Sequence, residues 1–364
     1  MKTVGILSLS NIGRAVAANL AEAGFEVTAV RRASAEDFPR LVGSPADPAR
    51  VRDVVVVALA SEDAMRSAYL GADGLAAGAH PGLVAIDMGT FPVSLKRELA
   101  EALAAKGAAM LDSPVSGTPP VVRAREAVLF VSGDETAIER CRPILDAITP
   151  NHPTVGAFGA GMAVKWAANL LVTVQTFATA QAMLLGTRSG IDPQVLIEAI
   201  GASFASSPVF RSRAPLMAEA RYQPAAGPAH VFLKDLGYID AECRRLDIAA
   251  PLIGPTLEWY ARLIEAGRGN DEGAAIYELL KAHTPLPLAG ERNMMERLQE
   301  FTPPGRSCRS GRWPSCAPAP RPPATTGRSC RSAGAACPIR WPARGRHGRT
   351  SRSRAPRRAC GCGK

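Results

Sequence analysis

Acidic residues are missing from the C-terminal segment of this chain. Of its 364 residues, those at 302–364 include 15 Lys or Arg and no Asp or Glu. The residues before that segment hold 28 basic and 33 acidic side chains, a formal net charge of about −5. An enzyme that acts on nucleic acid carries its basic surface on the folded body. The body is therefore not expected to bind nucleic acid, although the whole chain has a formal net charge of +10.

Cysteine is scarce in the body, where Cys141 and Cys243 are the only two of the eight. Two cysteines do not make a disulfide framework. The tail cysteines form no CxxC pair and the five histidines lack metal-ligand spacing, so we expect no metal. The GxSxG and Cys-His signatures of nucleophilic hydrolases are absent as well.

The segment 302–364 has hardly any Leu, Ile, Val or Phe and is rich in Arg, Pro, Ser, Gly, Ala and Cys. Such a composition buries too little apolar surface to offset chain entropy, which predicts a disordered basic tail. Other interpretations stay open: a zinc site, binding to nucleic acid or an anionic surface, and a shifted reading frame in a GC-rich coding sequence.

Two apolar stretches bear on localisation. The N-terminal VGILSL resembles a short signal peptide, but it ends at Ser10, Asn11 and Arg14 without a cleavage pattern, which predicts a cytoplasmic protein. Residues 166–187 carry no charge, as in a membrane span, yet Asn, Gln and Thr interrupt them. We expect no membrane contact, and instead a helix buried between protein surfaces.

Short apolar runs alternate with helical patterns up to about residue 133. The runs are Val4–Leu9, Val27–Val30, Val54–Leu59, Leu83–Ile86, Ala109–Leu111 and Val128–Val131. Because they are apolar at successive positions, they predict an α/β domain with a doubly wound parallel sheet covered on both faces. The strand signal disappears from 159 to about 282, which predicts an all-helical second domain. The expected boundaries are 1–158, 159–301 and 302–364.

The turn after the first strand has the position, but not the glycines, of a dinucleotide-binding turn. A Rossmann turn uses three glycines for a sharp bend, close approach to the pyrophosphate and helix–strand packing. In the segment Ser8-Leu9-Ser10-Asn11-Ile12-Gly13, those positions are Ser8, Ser10 and Gly13. The helix N-terminus still offers amides to a phosphate, but a Cβ at Ser10 would crowd it. A purely structural βαβ turn remains the alternative.

Cofactor choice is set at the end of the second strand, where an acid favours NAD and arginine favours the 2′-phosphate of NADP. This chain has Arg31 and Arg32 there. A guanidinium binds phosphate through two hydrogen bonds, which predicts NADP, with NAD possible. The alternative is that both arginines are simply solvated.

Four motifs follow in order: IDMGT (86–90), LDSPVSGT (111–118), GAGMAVKWAANLL (159–171) and FLKDLG (232–237). With them, residues 3 to about 282 resemble the β-hydroxyacid dehydrogenase family, which includes 3-hydroxyisobutyrate dehydrogenase, tartronate semialdehyde reductase and glyoxylate/succinic semialdehyde reductases. The resemblance implies a Rossmann domain that binds NADP, followed by a helical domain for substrate binding and dimerisation.

Lys165 and Asn169 are four residues apart on a helix and so share a face. The resemblance implies that Lys165 donates or accepts the proton during hydride transfer, and an Asn beside it can orient the amine or share the substrate oxygen. A free lysine has a pKa of ~10.4, so only the role of base in oxidation requires the pKa to fall. We therefore expect reduction to be the easier direction.

The resemblance also implies the remaining site. Ser116, Gly117 and Thr118 correspond to a Ser-Gly-Gly turn that binds the substrate carboxylate, as a hydroxyl with two backbone amides can. The residues implied in cofactor binding are Leu59, Ala60, Thr90 and Lys234, together with the first turn and the two arginines. Replacement of the last glycine by Thr118, followed by two prolines, stiffens the loop.

The function that these features imply is an NADP-dependent oxidoreductase. It would transfer hydride between the cofactor and a small β-hydroxy acid or semialdehyde, as a homodimer or homotetramer. One alternative is an imine reductase on a similar scaffold, against which Lys165 argues. The other is a nucleotide-binding protein with little turnover, suggested by Ser8, Ser10 and Thr118.

Overall fold

The computed structural model describes residues 3–30 and 40–283. These residues fall within one compact unit, 1–291. The predicted tail, the boundary at 301, Arg31 and Arg32 all lie outside the described residues, so those four predictions stand as predictions.

The first domain is built on a mostly parallel sheet. The described strands are β1 (Thr3–Ile6), β2 (Glu26–Val30), β3 (Leu41–Val42), β4 (Val54–Val57), β5 (Val84–Asp87), β6 (Ala109–Asp112), β7 (Val115–Ser116), β8 (Val128–Leu129), β9 (Val131–Ser132) and β10 (Thr154–Gly156). In the main sheet their order is β3-β2-β1-β4-β5-β6-β9-β10. The strands from β3 to β6 pair in parallel, as the apolar runs predicted. The carboxyl ends of these strands therefore share one edge of the sheet.

Helices cover both faces of this sheet. They are α1 (Asn11–Glu22), α2 (Ala46–Val51), α3 (Glu62–Leu70), α4 (Leu75–Gly78), α5 (Val93–Ala104), α6 (Pro119–Arg123) and α7 (Glu135–Ile148). Val54 and Val56 contribute to the core under α1 and α7, while Val55 and Val57 contribute to the core under α3 and α5. Alternate residues of one strand thus enter opposite cores. The doubly wound Rossmann fold is confirmed.

The predicted strand Val128–Val131 is wrong in one respect. The chain changes partner within it, since β8 pairs with β7 in a separate two-stranded sheet and β9 runs antiparallel to β6. Phe130 lies at the change, and its amide donates to the carbonyl of Pro114 at 3.2 Å. A continuous apolar run predicts a buried extended segment but does not specify its partner.

The second domain is helical, as predicted. Its elements are α8 (Ala160–Arg188), α9 (Pro193–Gly201), α10 (Pro208–Ala218), α11 (Ala229–Arg245), α12 (Ile253–Glu265), a 3₁₀ turn (Gly273–Ala275) and α13 (Ile276–His283). Asp192 caps α9 as its sequence predicts, because its carboxylate accepts from the amide of Gln194 at 2.8 Å. α8 packs against α10, α11 and α13 and so forms the spine of this domain.

Among the described helices, α8 is long and apolar enough to cross a membrane by length and composition alone. It also contributes Met162, Trp166, Ala180 and Met183 to the apolar core of the helical domain, as the spine of a globular domain does. The other side of α8 exposes apolar side chains, with Leu171 59% and Leu185 72% accessible. Both observations are compatible with the predicted helix between protein surfaces.

Candidate active site

The turn between β1 and α1 is closed by its own hydroxyl groups. Ser8 Oγ accepts from the amide of Ser10 at 3.1 Å, and Ser10 Oγ accepts from the amide of Gly13 at 3.4 Å. Ser10 Oγ also donates to the carbonyl of Ala58, beyond the end of β4, at 3.2 Å. Two amides of the turn are therefore already partly satisfied by the serines that replace glycines.

Gly13 occupies the one position of the turn where glycine is required. A Cβ there would lie 1.9 Å from the carbonyl oxygen of Ser8. The amides of Asn11 and Ile12, at the start of α1, have no carbonyl four residues earlier in the helix and can meet an anion. The helix end thus retains the close packing and the dipole of a phosphate-binding turn.

A cleft of about 200 Å³ opens beside this turn. It is lined by Leu7 and Ser8 after β1, Val30 at the end of β2, and Leu59 after β4. Ala60 is exposed in the same loop, directly before Ser61, the N-cap residue of α3. The predicted turn residues and Leu59 therefore meet at the carboxyl edge of the sheet, where doubly wound proteins bind nucleotides. These residues fit the adenosine and pyrophosphate of a dinucleotide, with Ser8 and Ser10 as the departure.

Lys165 lies in the first turns of α8 and is 9% exposed. Burial lowers its pKa to about 8, while Asp235 opposes this shift and Lys234 adds to it. An amine with this pKa exchanges protons readily near neutral pH. Because the side chain is almost fully buried, the amine does not face solvent.

Asn169, one helical turn after Lys165, joins a chain of polar contacts between the two domains. Its amide donates to Asp235 Oδ2 on α11 at 2.7 Å. The other carboxylate oxygen lies 2.8 Å from Lys234 Nζ, as an ion pair. Lys234 in turn donates to the carbonyl of Thr90, after β5, at 3.1 Å. Asn169, Lys234 and Thr90 are thus brought together, with Asp235 at the centre.

Asp235 is 5% exposed, so its ion pair with Lys234 is not an ordinary pair on a helix surface. Lys234 Nζ also lies over the rings of Phe91 and Tyr238, at 5.4 and 5.2 Å from their centroids. The Tyr238 hydroxyl donates to Glu62 on α3 at 2.7 Å. The FLKDLG segment is therefore fixed against the first domain from several sides.

Ser116, Gly117 and Thr118 form the turn between β7 and α6. Gly117 packs closely, because a Cβ there would lie 2.8 Å from the Cβ of Ala127. Thr118 is the N-cap residue of α6, and Pro119 follows at the first helical position. Among residues 3–30 and 40–283, this turn contacts its own hairpin and α6, and no hydrogen bond or ion pair joins it to Lys165. Asp112, four residues before Ser116, accepts from the amide of Met162 on α8 at 2.9 Å.

Arg123, the last residue of α6, and Arg125, two residues further on, serve as structural links. Arg123 donates to Asn19 at 3.0 Å and to Glu22 at 2.9 Å, both on α1. Arg125 has a φ of 61° and donates to the carbonyl of Asp146. A positive φ is the reason that glycine suits this position.

One further charged group beside the site was not predicted. Lys96, Asp87 and Asp112 are all fully buried, and they contact the segments that carry Thr90 and Lys165. A signal existed for Lys96, since it shares a helix face with Leu99 and Leu103 at spacings of three and seven. Within the described ranges 3–30 and 40–283, no group of three His, Cys, Asp or Glu could hold a metal ion.

Two family models match the chain. Residues 3–157 match the NAD-binding domain of 6-phosphogluconate dehydrogenase, and residues 159–280 match the NAD-binding domain of NADP-dependent 3-hydroxyisobutyrate dehydrogenase. The join between them falls beside the N-cap of α8. The two matches take in both domains described above.

Relatives of known name agree with these models. L-threonate dehydrogenase of Cupriavidus necator is 31% identical over 76% of this chain and 96% of its own length. The 3-hydroxyisobutyrate dehydrogenase of Salmonella typhimurium superposes with a TM-score of 0.70 at 28% identity, over 77% of this chain and 100% of that one. The Mycobacterium tuberculosis 3-hydroxyisobutyrate dehydrogenase with L-serine also gives 0.70, at 27% identity over 77% and 99%. The chain therefore belongs to the β-hydroxyacid dehydrogenases, oxidoreductases that bind a nicotinamide cofactor and act on hydroxyl groups.

Proposed function

We propose that this enzyme is an NADP-linked reductase and dehydrogenase of small β-hydroxy acids and semialdehydes. The observation that carries the proposal is the buried amine of Lys165, with its pKa lowered to about 8, next to the Asp235–Lys234 pair. The relatives act on small hydroxy acids by their names, which supports this substrate class. Arg31 and Arg32 support NADP by residue type only.

In this proposal, Lys165 moves the proton at the reacting oxygen. The bound nicotinamide supplies or accepts the hydride at the carbon. In reduction, Lys165 donates a proton from Nζ to the oxygen that becomes the hydroxyl group. In oxidation, the neutral amine takes that proton back. Asp235 keeps the ammonium form accessible, because its negative charge opposes the effect of burial.

The substrate carboxylate would meet the Ser116 hydroxyl and the amides of Gly117 and Thr118. Pro119 and Pro120 carry no amide hydrogen, so the donors of this turn end at Thr118. This arrangement suits one compact carboxylate. A chain of a few carbons would then place the carbonyl or hydroxyl oxygen toward Lys165.

The lowered pKa of Lys165 allows it to act as acid in reduction and as base in oxidation. With a pKa of about 8, Lys165 is roughly nine-tenths protonated at pH 7, which favours reduction there. Above pH 8 the neutral amine predominates and oxidation gains its base. The expectation of easier reduction at neutral pH is thus supported, although the margin is smaller than for an ordinary lysine.

We also propose that the enzyme is a homodimer or homotetramer. The uncharged side of α8, with Leu171 and Leu185 more than half exposed, supports a second subunit at this helix.

The test of the function is a screen with NADPH and NADH against C2 to C4 semialdehydes, followed by L-threonate, L-serine and 3-hydroxyisobutyrate in the oxidising direction. We expect aldehyde-dependent loss of the reduced cofactor, with NADPH preferred. Turnover of cyclic imines but not aldehydes would replace this proposal by an imine reductase. Cofactor binding without turnover of any substrate would leave a nucleotide-binding protein.

Replacing Ser10 by glycine should tighten cofactor binding. The change removes a Cβ that would crowd the pyrophosphate and a hydroxyl that competes with it for the amide of Gly13, together worth on the order of 1 kcal/mol. We expect the Kd for NADPH to fall roughly three- to tenfold, measured by fluorescence titration. Loss of the cap should cost only a few tenths of a kcal/mol of stability.

The matched control is Ser207→Gly, because Ser207 caps α10 in the same way, 3.0 Å from the amide of Phe210. It should lose similar stability and leave the Kd unchanged. A higher Kd for NADPH in Ser10→Gly would mean that the Ser10 hydroxyl itself binds the cofactor.

A further inference from the structure

Three fully buried charges meet at the carboxyl ends of β5 and β6. Asp87 and Asp112 are paired residues of these neighbouring strands. Lys96 reaches them from α5, with Nζ 2.7 Å from Asp112 Oδ1 and 3.3 Å from Asp87 Oδ1. All three side chains have no accessible surface. We call this group the buried triad.

Lys96 keeps its charge in the triad, while burial raises the pKa of Asp87 against the opposing effect of Lys96. Burial by itself would lower the pKa of Lys96, but the two carboxylates outweigh it and raise that pKa. Burying charge is costly, and replacing buried ion pairs by apolar groups is often neutral or stabilising. Stability alone therefore does not account for a lysine at this position.

Asp112 caps the helix that carries Lys165. The N-cap residue of α8 is Gly159, which has no side chain to accept from the first amides. Instead, Asp112 Oδ2 accepts from the amide of Met162 at 2.9 Å, and Ser132 Oγ accepts from the amide of Gly161 at 2.9 Å. A carboxylate at this helix end is also favoured by the helix dipole.

The first turn of α8 sits directly on the strand ends. A Cβ on Gly161 would lie 2.4 Å from the carbonyl oxygen of Phe130 and 2.8 Å from that of Asp112. Met162, the residue that Asp112 binds, is three residues before Lys165 and so shares its helix face. A shift of Asp112 would consequently move the turn below the amine.

Asp87 holds the segment on the other side of the site, which carries Thr90. Its Oδ1 accepts from the amide of Gly89 at 2.7 Å, directly before Thr90, and Tyr69 donates to its Oδ2 at 3.4 Å. Thr90 is the residue whose carbonyl receives Lys234. The two carboxylates thus hold the two segments that bound the site, and Lys96 joins the carboxylates.

We propose that Lys96 is a positioning residue, which sets the placement of Lys165 relative to the Thr90 loop by holding Asp87 and Asp112 together. The inference rests on the proposed function only where it concerns turnover. Without the cation, two adjacent buried carboxylates repel, and one of them takes up a proton. Asp112 then changes its hold on the α8 amides.

The primary test is competitive acylation of Lys165 with a small anhydride across pH, quantified by peptide mass spectrometry on the full-length apoprotein. The pKa of Lys165 is shifted by burial and by the charges of Asp235 and Lys234, and Lys96 is not among these causes. A change caused by removing Lys96 therefore reports movement of the helix rather than a direct effect of its charge. In Lys96→Met we expect the midpoint to rise from about 8 toward that of a free amine, with faster labelling.

Turnover is the second readout. Displacement of a reacting group by about 1 Å can cost up to 10²-fold, so we expect kcat to fall roughly ten- to a hundredfold in Lys96→Met. The KM for cofactor should rise as well, because Asp87 of the triad holds the amide of Gly89, directly before Thr90. Leu99→Ala, three residues along α5 in the apolar core, is the control for general loosening.

Ser132→Ala tests the same link without altering a charge, since it removes the acceptor of the Gly161 amide together with a hydroxyl that donates to Asp112. It should shift the labelling midpoint in the same direction by less. If Lys96→Met does not fold, an unchanged profile in Ser132→Ala overturns the proposal. The proposal is also overturned if Leu99→Ala shifts the labelling profile as much as Lys96→Met does. The same holds if neither Lys96→Met nor Ser132→Ala shifts that profile.

Labelling separates this inference from the proposed function. A wild-type enzyme that turns over no substrate would refute the function, yet the acylation profiles would still decide whether Lys96 positions Lys165.

Discussion

Replacement of Lys165 by methionine is expected to lower kcat for aldehyde reduction by roughly 10²- to 10⁴-fold, the usual contribution of one general acid. Methionine has a similar length and suits a side chain that is only 9% exposed, so the fold should persist. The cofactor contacts that we propose lie at the first turn and around Thr90, so the Kd for NADPH should stay within about twofold. Steady-state kinetics together with fluorescence titration would measure both.

The control is Lys106→Met, an exposed lysine after α5. Its kcat should match that of the wild-type enzyme. Equal turnover in Lys165→Met and the wild-type enzyme would remove Lys165 from the chemistry. The buried amine would then be a structural feature of α8, and another acid would have to be sought near Thr90.

Much of this architecture follows from local sequence. Successive apolar residues such as Val54–Val57 predicted strands covered on both faces, and the structure places their side chains in two separate cores. Lys165 and Asn169 were predicted on one helix face by spacing alone. In each case the signal is short in sequence and tied to a regular period.

Features that depend on partners distant in sequence were not predictable in the same way. The place of Asp235 at the centre of the site depends on Asn169, 66 residues away, whose side-chain amide donates to one of its carboxylate oxygens. The partner change at Phe130 depends on Pro114, which no periodicity identifies. The hydroxyls of Ser8 and Ser10 were counted as lost glycines, whereas the structure uses them as acceptors within the turn.

The two charged neighbours of Lys165 should move its titration in opposite directions. Asp235 raises the pKa of Lys165 and Lys234 lowers it. Asp235→Asn removes the negative charge while leaving an amide oxygen that can still accept from Asn169. We therefore expect the pKa of Lys165 to fall below about 8 in Asp235→Asn and to rise above it in Lys234→Met.

The rates follow from the protonation state that each direction needs. Reduction needs the ammonium form, so its kcat falls as pH rises through the pKa of Lys165. In Asp235→Asn this fall in kcat should occur at lower pH. A displacement of one unit would cut the protonated fraction at pH 8 from about half to about a tenth, and reduction there by roughly fivefold. Oxidation needs the neutral amine, so in Asp235→Asn its kcat should begin to rise at lower pH.

Lys234→Met should extend reduction to higher pH and delay oxidation, even if its affinity for cofactor falls. The profiles of kcat against pH should be recorded in both directions at saturating cofactor, because kcat then reports the amine within the complex. Displacements of the same sign in the two variants would mean that the charges act by moving α11. Only opposite displacements fit a proton held on Lys165 and balanced between one neighbouring carboxylate and one neighbouring ammonium group.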